Sequence, residues 1–386
     1  MLAFETLATI STVFGLDSGA WMMGGGGVIS SSLPAHQRLH EFAKTALIKI
    51  FASPYAKVCD LYCGSGSDTY KWYDAQIGHY IGIDSSSSSI SETREMWESQ
   101  PKPYTAEFCE LNPCVDNLEM FLQDKGIPVD IVCCLQHLQL CFETEDKART
   151  LLHNVSTLLK PGGYFFGITA DSSTIWTKYQ KNVEASHNKG IGLKPNMVPN
   201  CIRSENYIIT FDVEEEKFPL FGKKYQLKFV NDISSETHSL VHFPSLIRLA
   251  REAGLEYVEI QNLTEFYDDN RAILAGMLHG YGPNFVDPRG RLLPRSFDAL
   301  GLYATFVFQK PDPDIVPPIT TPLFQDGNPI QDEDWMASSW RQHGSSLDED
   351  RTGHTETALN INPPIVEHDK GILGPGPPDL RFSEPF

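Results

Sequence analysis

Between residues 34 and 310 the apolar positions alternate between two periods. From His36 to Ile50 they recur at helical spacing, at Leu39, Phe42, Ala43, Leu47 and Ile50, and this predicts a helix. Short apolar runs at Lys57 to Tyr62, His79 to Ile83, Tyr104 to Phe108, Val129 to Leu135 and Tyr164 to Thr169 predict five strands. Helices are expected between them at Asp68 to Ala75, Ser86 to Glu98, Val115 to Asp124 and Glu143 to Leu159. Leu255 to Gln261 and Leu302 to Gln309 give a sixth and a seventh strand, with a helix at Val241 to Ala253 before the sixth. Strands alternating with helices predict an α/β domain: a seven-stranded, mostly parallel sheet with helices on both faces. Ser204 to Phe229 instead alternates apolar and polar residues, which predicts an antiparallel hairpin inserted at about residues 204 to 240 as a substrate wall.

The flanks differ from this body. Residues 1 to 33 end in four glycines and three serines and are expected to form a flexible leader, and 311 to 386 an acidic, Pro-rich disordered tail. Of the net charge of −19, that tail carries 14 acidic and 4 basic residues, so the body is only mildly acidic. Without a broad basic face, any nucleic-acid contact should be local, such as one chain end in a pocket. Eight cysteines lack metal-ligand spacing and fall mostly in apolar runs, which favours buried free thiols and no metal. No Lys or Arg precedes Arg38 and no apolar run is long enough for a membrane span, so neither a secretory signal nor a membrane partner is expected.

Candidate chemistry begins at Val58-Cys59-Asp60-Leu61-Tyr62-Cys63-Gly64-Ser65-Gly66-Ser67-Asp68, a strand running through a glycine turn into a helix. Gly64 and Gly66 let the backbone approach a small ligand at the strand's carboxyl end. A dinucleotide fingerprint would have a third glycine where Thr69 stands, and Asp60 and Asp68 suit a cationic amino-acid group better than a pyrophosphate. Asp84 ends the second strand, where an acid can accept from both ribose hydroxyls; its alternative role is to cap the helix that follows. Glu110, after the third strand, is placed to meet an adenine amino group, or is an ordinary loop acid. Leu159-Lys160-Pro161-Gly162-Gly163-Tyr164 turns the chain from a helix into the fifth strand.

In this order the pieces resemble the mRNA cap guanine-N7 methyltransferases over residues 34 to 310. Asp68-Thr69-Tyr70-Lys71-Trp72 looks like that family's D-x-x-K-W, Cys141-Phe142-Glu143 its S-F-E, and Phe218-Pro219-Leu220-Phe221-Gly222-Lys223-Lys224-Tyr225 its Y-P-L-F-G-x-K-Y. The resemblance implies a Rossmann-like fold, S-adenosylmethionine as cofactor, the capped 5′ end of mRNA as partner and a nuclear location. It places Lys44, Asp60, Tyr62, Gly64, Gly66, Asp68, Asp84 and Glu110 at the cofactor. At the cap it places His40, Ser65, Lys71, Gln139, Glu236, His238 and Tyr303, with Lys71 near the phosphates. No residue is implied as nucleophile or base, since N7 already carries a lone pair. The tail is expected to act as a spacer or to bind a protein partner.

Tyr62 stands where the family has a glycine and is expected to fill volume along the methionine portion of the cofactor. Leu135, Gln139 and Leu140 replace the family's Gln and His-Tyr pair, and His238 replaces its guanine-reading Glu, with Glu236 two residues earlier on the same strand face. These departures leave two other readings open: a noncatalytic binding or scaffold module, and a methyltransferase for another acceptor.

Overall fold

The computed structural model describes residues 33–101, 104–125, 127–187, 200–212, 217–230 and 232–314. The expected leader and nearly all of the expected tail lie outside them. The chain runs α1 (Ala35–Phe51), β1 (Lys57–Leu61), α2 (Thr69–Asp74), β2 (His79–Asp84), α3 (Ser87–Glu98), β3 (Thr105–Glu110), α4 (Leu118–Leu122), β4 (Val129–Cys134), α5 (Leu138–Cys141), α6 (Glu145–Leu158) and β5 (Leu159–Ala170). It continues with α7 (Ser172–His187), β6 (Cys201–Arg203), β7 (Tyr207–Phe211), β8 (Lys224–Phe229), β9 (Glu236–Ser239), α8 (Phe243–Glu252), β10 (Glu256–Asn262), α9 (Leu263–Asp269), α10 (Arg271–His279), α11 (Pro294–Leu300) and β11 (Tyr303–Gln309).

Seven strands form one sheet in the order β10-β11-β5-β4-β1-β2-β3, and β11 alone runs antiparallel to its neighbours. The central strands are apolar at successive positions because both faces are covered. Val58, Tyr80, Ile131, Cys133, Phe166 and Ile168 pack with Leu39, Phe42 and Leu47 of α1. Cys59, Leu61, Val132, Cys134 and Phe165 pack on the opposite face with α6 and α8, through Leu151, Val155, Leu246 and Leu249. All eight cysteines are free.

The expected inserted hairpin is a larger unit, a four-stranded antiparallel sheet in the order β6-β7-β8-β9. Register pairs Tyr207 with Phe229, Ile209 with Leu227 and Phe211 with Tyr225, so one face is continuously apolar. That face buries Ile175, Trp176 and Tyr179 of α7 in a core of its own. Tyr303 packs against both this core and the α1 side of the large sheet.

Local chemistry sets the helix ends. Ser86 caps α3 by accepting from Ser89 N–H at 3.3 Å, and Thr144 caps α6 by accepting from Lys147 N–H at 3.3 Å. The Thr144 cap starts α6 at Glu145, within the helix expected at Glu143 to Leu159, and sets it apart from the short α5 before it. Helices α7, α9, α10 and α11 go beyond the sequence reading.

Candidate functional site

The carboxyl ends of β1 and β2 meet at the glycine turn. Asp84 Oδ2 accepts from Gly64 N–H at 3.0 Å and Oδ1 from Ser86 N–H at 2.9 Å. Ser86 is the helix cap, so Asp84 ties the turn of β1 to the end of β2. Gly64 sits at φ 58°, and a Cβ there would meet no atom within 4 Å. Gly66, at φ 81°, would place a Cβ 2.7 Å from Thr93 Cα. Gly66 therefore serves close packing of the turn on α3, and Gly64 leaves open space for a ligand to come against the backbone. Ser65 is exposed on this turn, and Glu110 is exposed at the end of β3, in register with Asp84.

Asp60 faces inward. Its Oδ2 accepts from Tyr80 Oη–H at 3.0 Å and Trp72 Nε1–H at 3.4 Å, and its Oδ1 from Cys133 Sγ–H at 3.3 Å. Burial first, then the nearby Asp68 charge, push its carboxyl up to about 7 against those donors. Because this lies above the unfolded value of about 4, the stability it lends is full below about pH 4 and lost as pH rises through about 7. Asp60→Asn, permanently uncharged, should flatten this part of the profile. Urea midpoints at pH 5 and pH 8 check it, and equal differences for the variant and the parent chain would refute the assignment.

Tyr62, expected to fill volume along the methionine portion of the cofactor, packs its ring into the protein. Its backbone is left-handed (φ 59°), and the ring is buried in the core with Cys114, Leu138 and Cys141. Its hydroxyl donates to Asn112 Oδ1 at 3.2 Å and shares a hydrogen bond with Cys114 Sγ at 2.8 Å. Holding a tyrosine left-handed costs about 1–2 kcal/mol, which the buried ring and its hydroxyl partners offset.

Four charges form a closed ring beside the turn. Lys44 Nζ lies 3.0 Å from Asp68 Oδ2 and 3.2 Å from Glu41 Oε1, and Lys71 Nζ lies 2.5 Å from both Asp68 Oδ1 and Glu41 Oε2. Burial works against the charge on Lys71, but Asp68 and Glu41 outweigh it and hold its pKa above the ordinary value. Lys71 is thus no solvated helix lysine: it is 2% exposed and paired with Glu41 and Asp68.

A cavity of about 710 Å³ opens between the two sheets. His40, Glu41, Lys44, Ser67 and Tyr70 line it from α1, the glycine turn and α2, and Gln136, His137 and Gln139 from the loop after β4 and α5. Glu236, His238 and Tyr303 close the far side from β9 and β11. Gln139 Nε2–H donates to His238 Nδ1 at 3.3 Å, leaving His238 Nε2–H to donate to Glu236 at 3.1 Å. The Glu236 carboxyl is held below its usual value by that hydrogen bond. His40 lies edge-on to Tyr303 with ring centroids 5.1 Å apart. Burial, then Lys44, lower its pKa to about 3, so His40 is neutral at physiological pH.

Of the residues singled out in the sequence, His40, Lys44, Gln139, Glu236, His238 and Tyr303 meet on this cavity. Gly64, Ser65, Gly66 and Asp84 build the turn beside it, and Asp60, Tyr62, Asp68 and Lys71 lie in the protein beneath. Glu41 was missed, and its only signal is its place one helical turn before Lys44. Among the described residues no group of three or more His, Cys, Asp or Glu side chains is arranged to hold a metal ion.

The sequence model for the mRNA (guanine-N(7))-methyltransferase domain matches residues 30–311. The chain is 66% identical over 347 residues to the mRNA cap guanine-N(7) methyltransferase 2 of Oryza sativa subsp. japonica, covering 90% of this chain and 98% of that protein. It is 62% identical over 360 residues to the protein of the same name from Arabidopsis thaliana, covering 93% and 99%. The Arabidopsis mRNA cap guanine-N(7) methyltransferase 1 is 31% identical over 291 residues, covering 71% of this chain and 74% of that one.

Proposed function

The chain belongs to the mRNA (guanine-N(7))-methyltransferase family, and from that premise we propose that it transfers a methyl group from S-adenosylmethionine to N7 of the guanosine cap of mRNA. The observation that carries the reading is the cavity shared by the glycine-turn side of the large sheet and the β9 wall of the small one.

The donor side fits the cofactor. Gly64 offers open backbone, Asp84 is a carboxylate at the end of β2 suited to ribose hydroxyls, and Lys44 is an ammonium suited to an amino-acid carboxylate. When bound, S-adenosylmethionine supplies a methyl group on a positively charged sulfur. Ser65 and Gly66 shape the turn, and Glu110 is the acid available to an adenine amino group.

On the acceptor side, Glu236 presents a carboxylate on the strand face it shares with His238, whose two ring nitrogens are engaged by Gln139 and by Glu236 itself. A guanine edge carries two adjacent donors, which a carboxylate can match. N7 has no proton to lose, so these side chains act by alignment rather than as a base. Neutral His40 adds no positive charge beside a cationic product. Burial of the Tyr62 ring with Cys114, Leu138 and Cys141 supports the catalytic reading over the noncatalytic one.

Incubating the full chain with GpppG-capped RNA and a methyl-labelled donor should yield label in the cap as N7-methylguanosine after nuclease digestion. Absence of label in the cap, with cofactor binding intact, would overturn the proposal. A nuclear location and a protein partner for the acidic 311 to 386 segment belong to the same reading.

A further inference from the structure

The ring of Glu41, Lys44, Asp68 and Lys71 is electrically balanced, but its two acids are not equivalent. Asp68 is 6% exposed and fixed at the start of α2 by both lysines. Glu41 is half-buried, projects from α1 and lines the cavity. Its two oxygens divide between the lysines, Oε1 at 3.2 Å from Lys44 and Oε2 at 2.5 Å from Lys71. Tyr70, whose ring lies 4.5 Å from Lys71 Nζ, also lines the cavity. Lys71 is therefore one carboxylate away from a ligand in the cavity. Two ammonium groups at hydrogen-bonding distance from one carboxylate can equally hold a phosphate or carboxylate of a ligand.

We propose that Glu41 is an internal stand-in for a ligand oxyanion, which must displace the Glu41 carboxylate from Lys44 and Lys71 in order to bind. The proposal rests on the cavity being the substrate site. Glu41 keeps both lysines paired when the cavity holds no anion, since a buried ammonium without a partner is strongly unfavourable. It also lowers the affinity of any anion by the fraction of molecules in which the lysines are still covered. The displaced carboxylate has somewhere to go, because its residue already lines the cavity.

Isothermal titration of the full chain and of Glu41→Gln at one fixed salt concentration tests this. The probes are GpppG, inorganic tripolyphosphate, S-adenosylhomocysteine and methylthioadenosine, the last lacking both phosphate and carboxylate. Glu41→Gln should bind anionic probes about tenfold tighter, corresponding to about 1.4 kcal/mol, with methylthioadenosine unchanged. Gain on GpppG and tripolyphosphate identifies the anion as phosphate, and gain on S-adenosylhomocysteine alone identifies it as the amino-acid carboxylate. Equal gain on methylthioadenosine, or no gain on any anionic probe, overturns the proposal. Should Glu41→Gln not fold, Glu41→Asp, too short to bridge both lysines, should show a smaller gain in the same direction, and no gain there overturns it too. Tripolyphosphate reads the lysines without any cap, so a failed methylation assay and a failed Glu41 test remain separate results.

Discussion

Replacing Asp68 with Ala should cost about 3–5 kcal/mol of stability, because it leaves two ammonium groups, each 1–2% exposed, sharing one acid. Chain size sets the reading: at roughly 2–4 °C per kcal/mol for a domain of 150–250 residues, the melting temperature should fall by about 10 °C. Asp68→Asn should fall nearly as far, since an amide of the same shape cannot balance the charge. A loss below about 1 kcal/mol in urea titrations at pH 7 would show that the ring is solvated in solution. The pH dependence has a definite sign. Burial alone would raise the Asp68 pKa, but Lys44 and Lys71 outweigh it and hold it below the usual carboxylate range. The stability this contributes is present above about pH 4 and disappears as pH falls toward the folded-state value, opposite to the trend expected from Asp60.

Asp84→Ala should weaken S-adenosylhomocysteine binding by about a hundredfold. Two effects act together. A carboxylate positioned for two ribose hydroxyls is lost, at about 1.5–3 kcal/mol for each charge-assisted hydrogen bond. The Gly64 N–H, held at 3.0 Å by Oδ2, also loses its partner, so the turn that faces the ligand is less ordered. Asp84→Asn keeps one carbonyl oxygen for Gly64 and should lose less, about tenfold. Calorimetric titration measures both, and unchanged affinity for Asp84→Ala would place the cofactor elsewhere.

The large sheet was legible in the sequence because both of its faces are covered. Runs such as Ile131 to Cys134 are apolar at every position, and so is Phe165-Phe166 within β5, which starts at Leu159, ahead of the Pro161-Gly162-Gly163 turn. The small sheet was legible only as alternation. Its first strand, Cys201–Arg203, is three residues long, and its partner helix α7 shows its apolar side chiefly at Ile175, Trp176 and Tyr179. Side-chain direction was the least legible part of the site. Strand position puts Asp60, Tyr62 and Asp84 at one sheet edge, yet Asp60 and Tyr62 turn into the core, where Tyr80, Trp72, Asn112 and Cys114 satisfy them. Those partners come from distant parts of the chain, so no local pattern reveals them. The pairing of Gln139 with His238, 99 residues apart, is of the same kind. Each residue alone looked like the loss of a family feature, and together they form a hydrogen-bonded set.

The separate core beneath the small sheet bears on how such a protein changes over generations. Among the described residues β9 pairs with β8 alone, and its side chains Glu236 and His238 line the cavity while Tyr207, Phe211 and Tyr225 carry the packing. If β9 forms the acceptor wall as proposed, mutations on it can retune what the cavity admits without loosening the glycine turn. Tyr303 is the exception, because it touches both cores and the cavity at once. A lineage drifting toward a new acceptor would find β9 permissive and Tyr303 resistant.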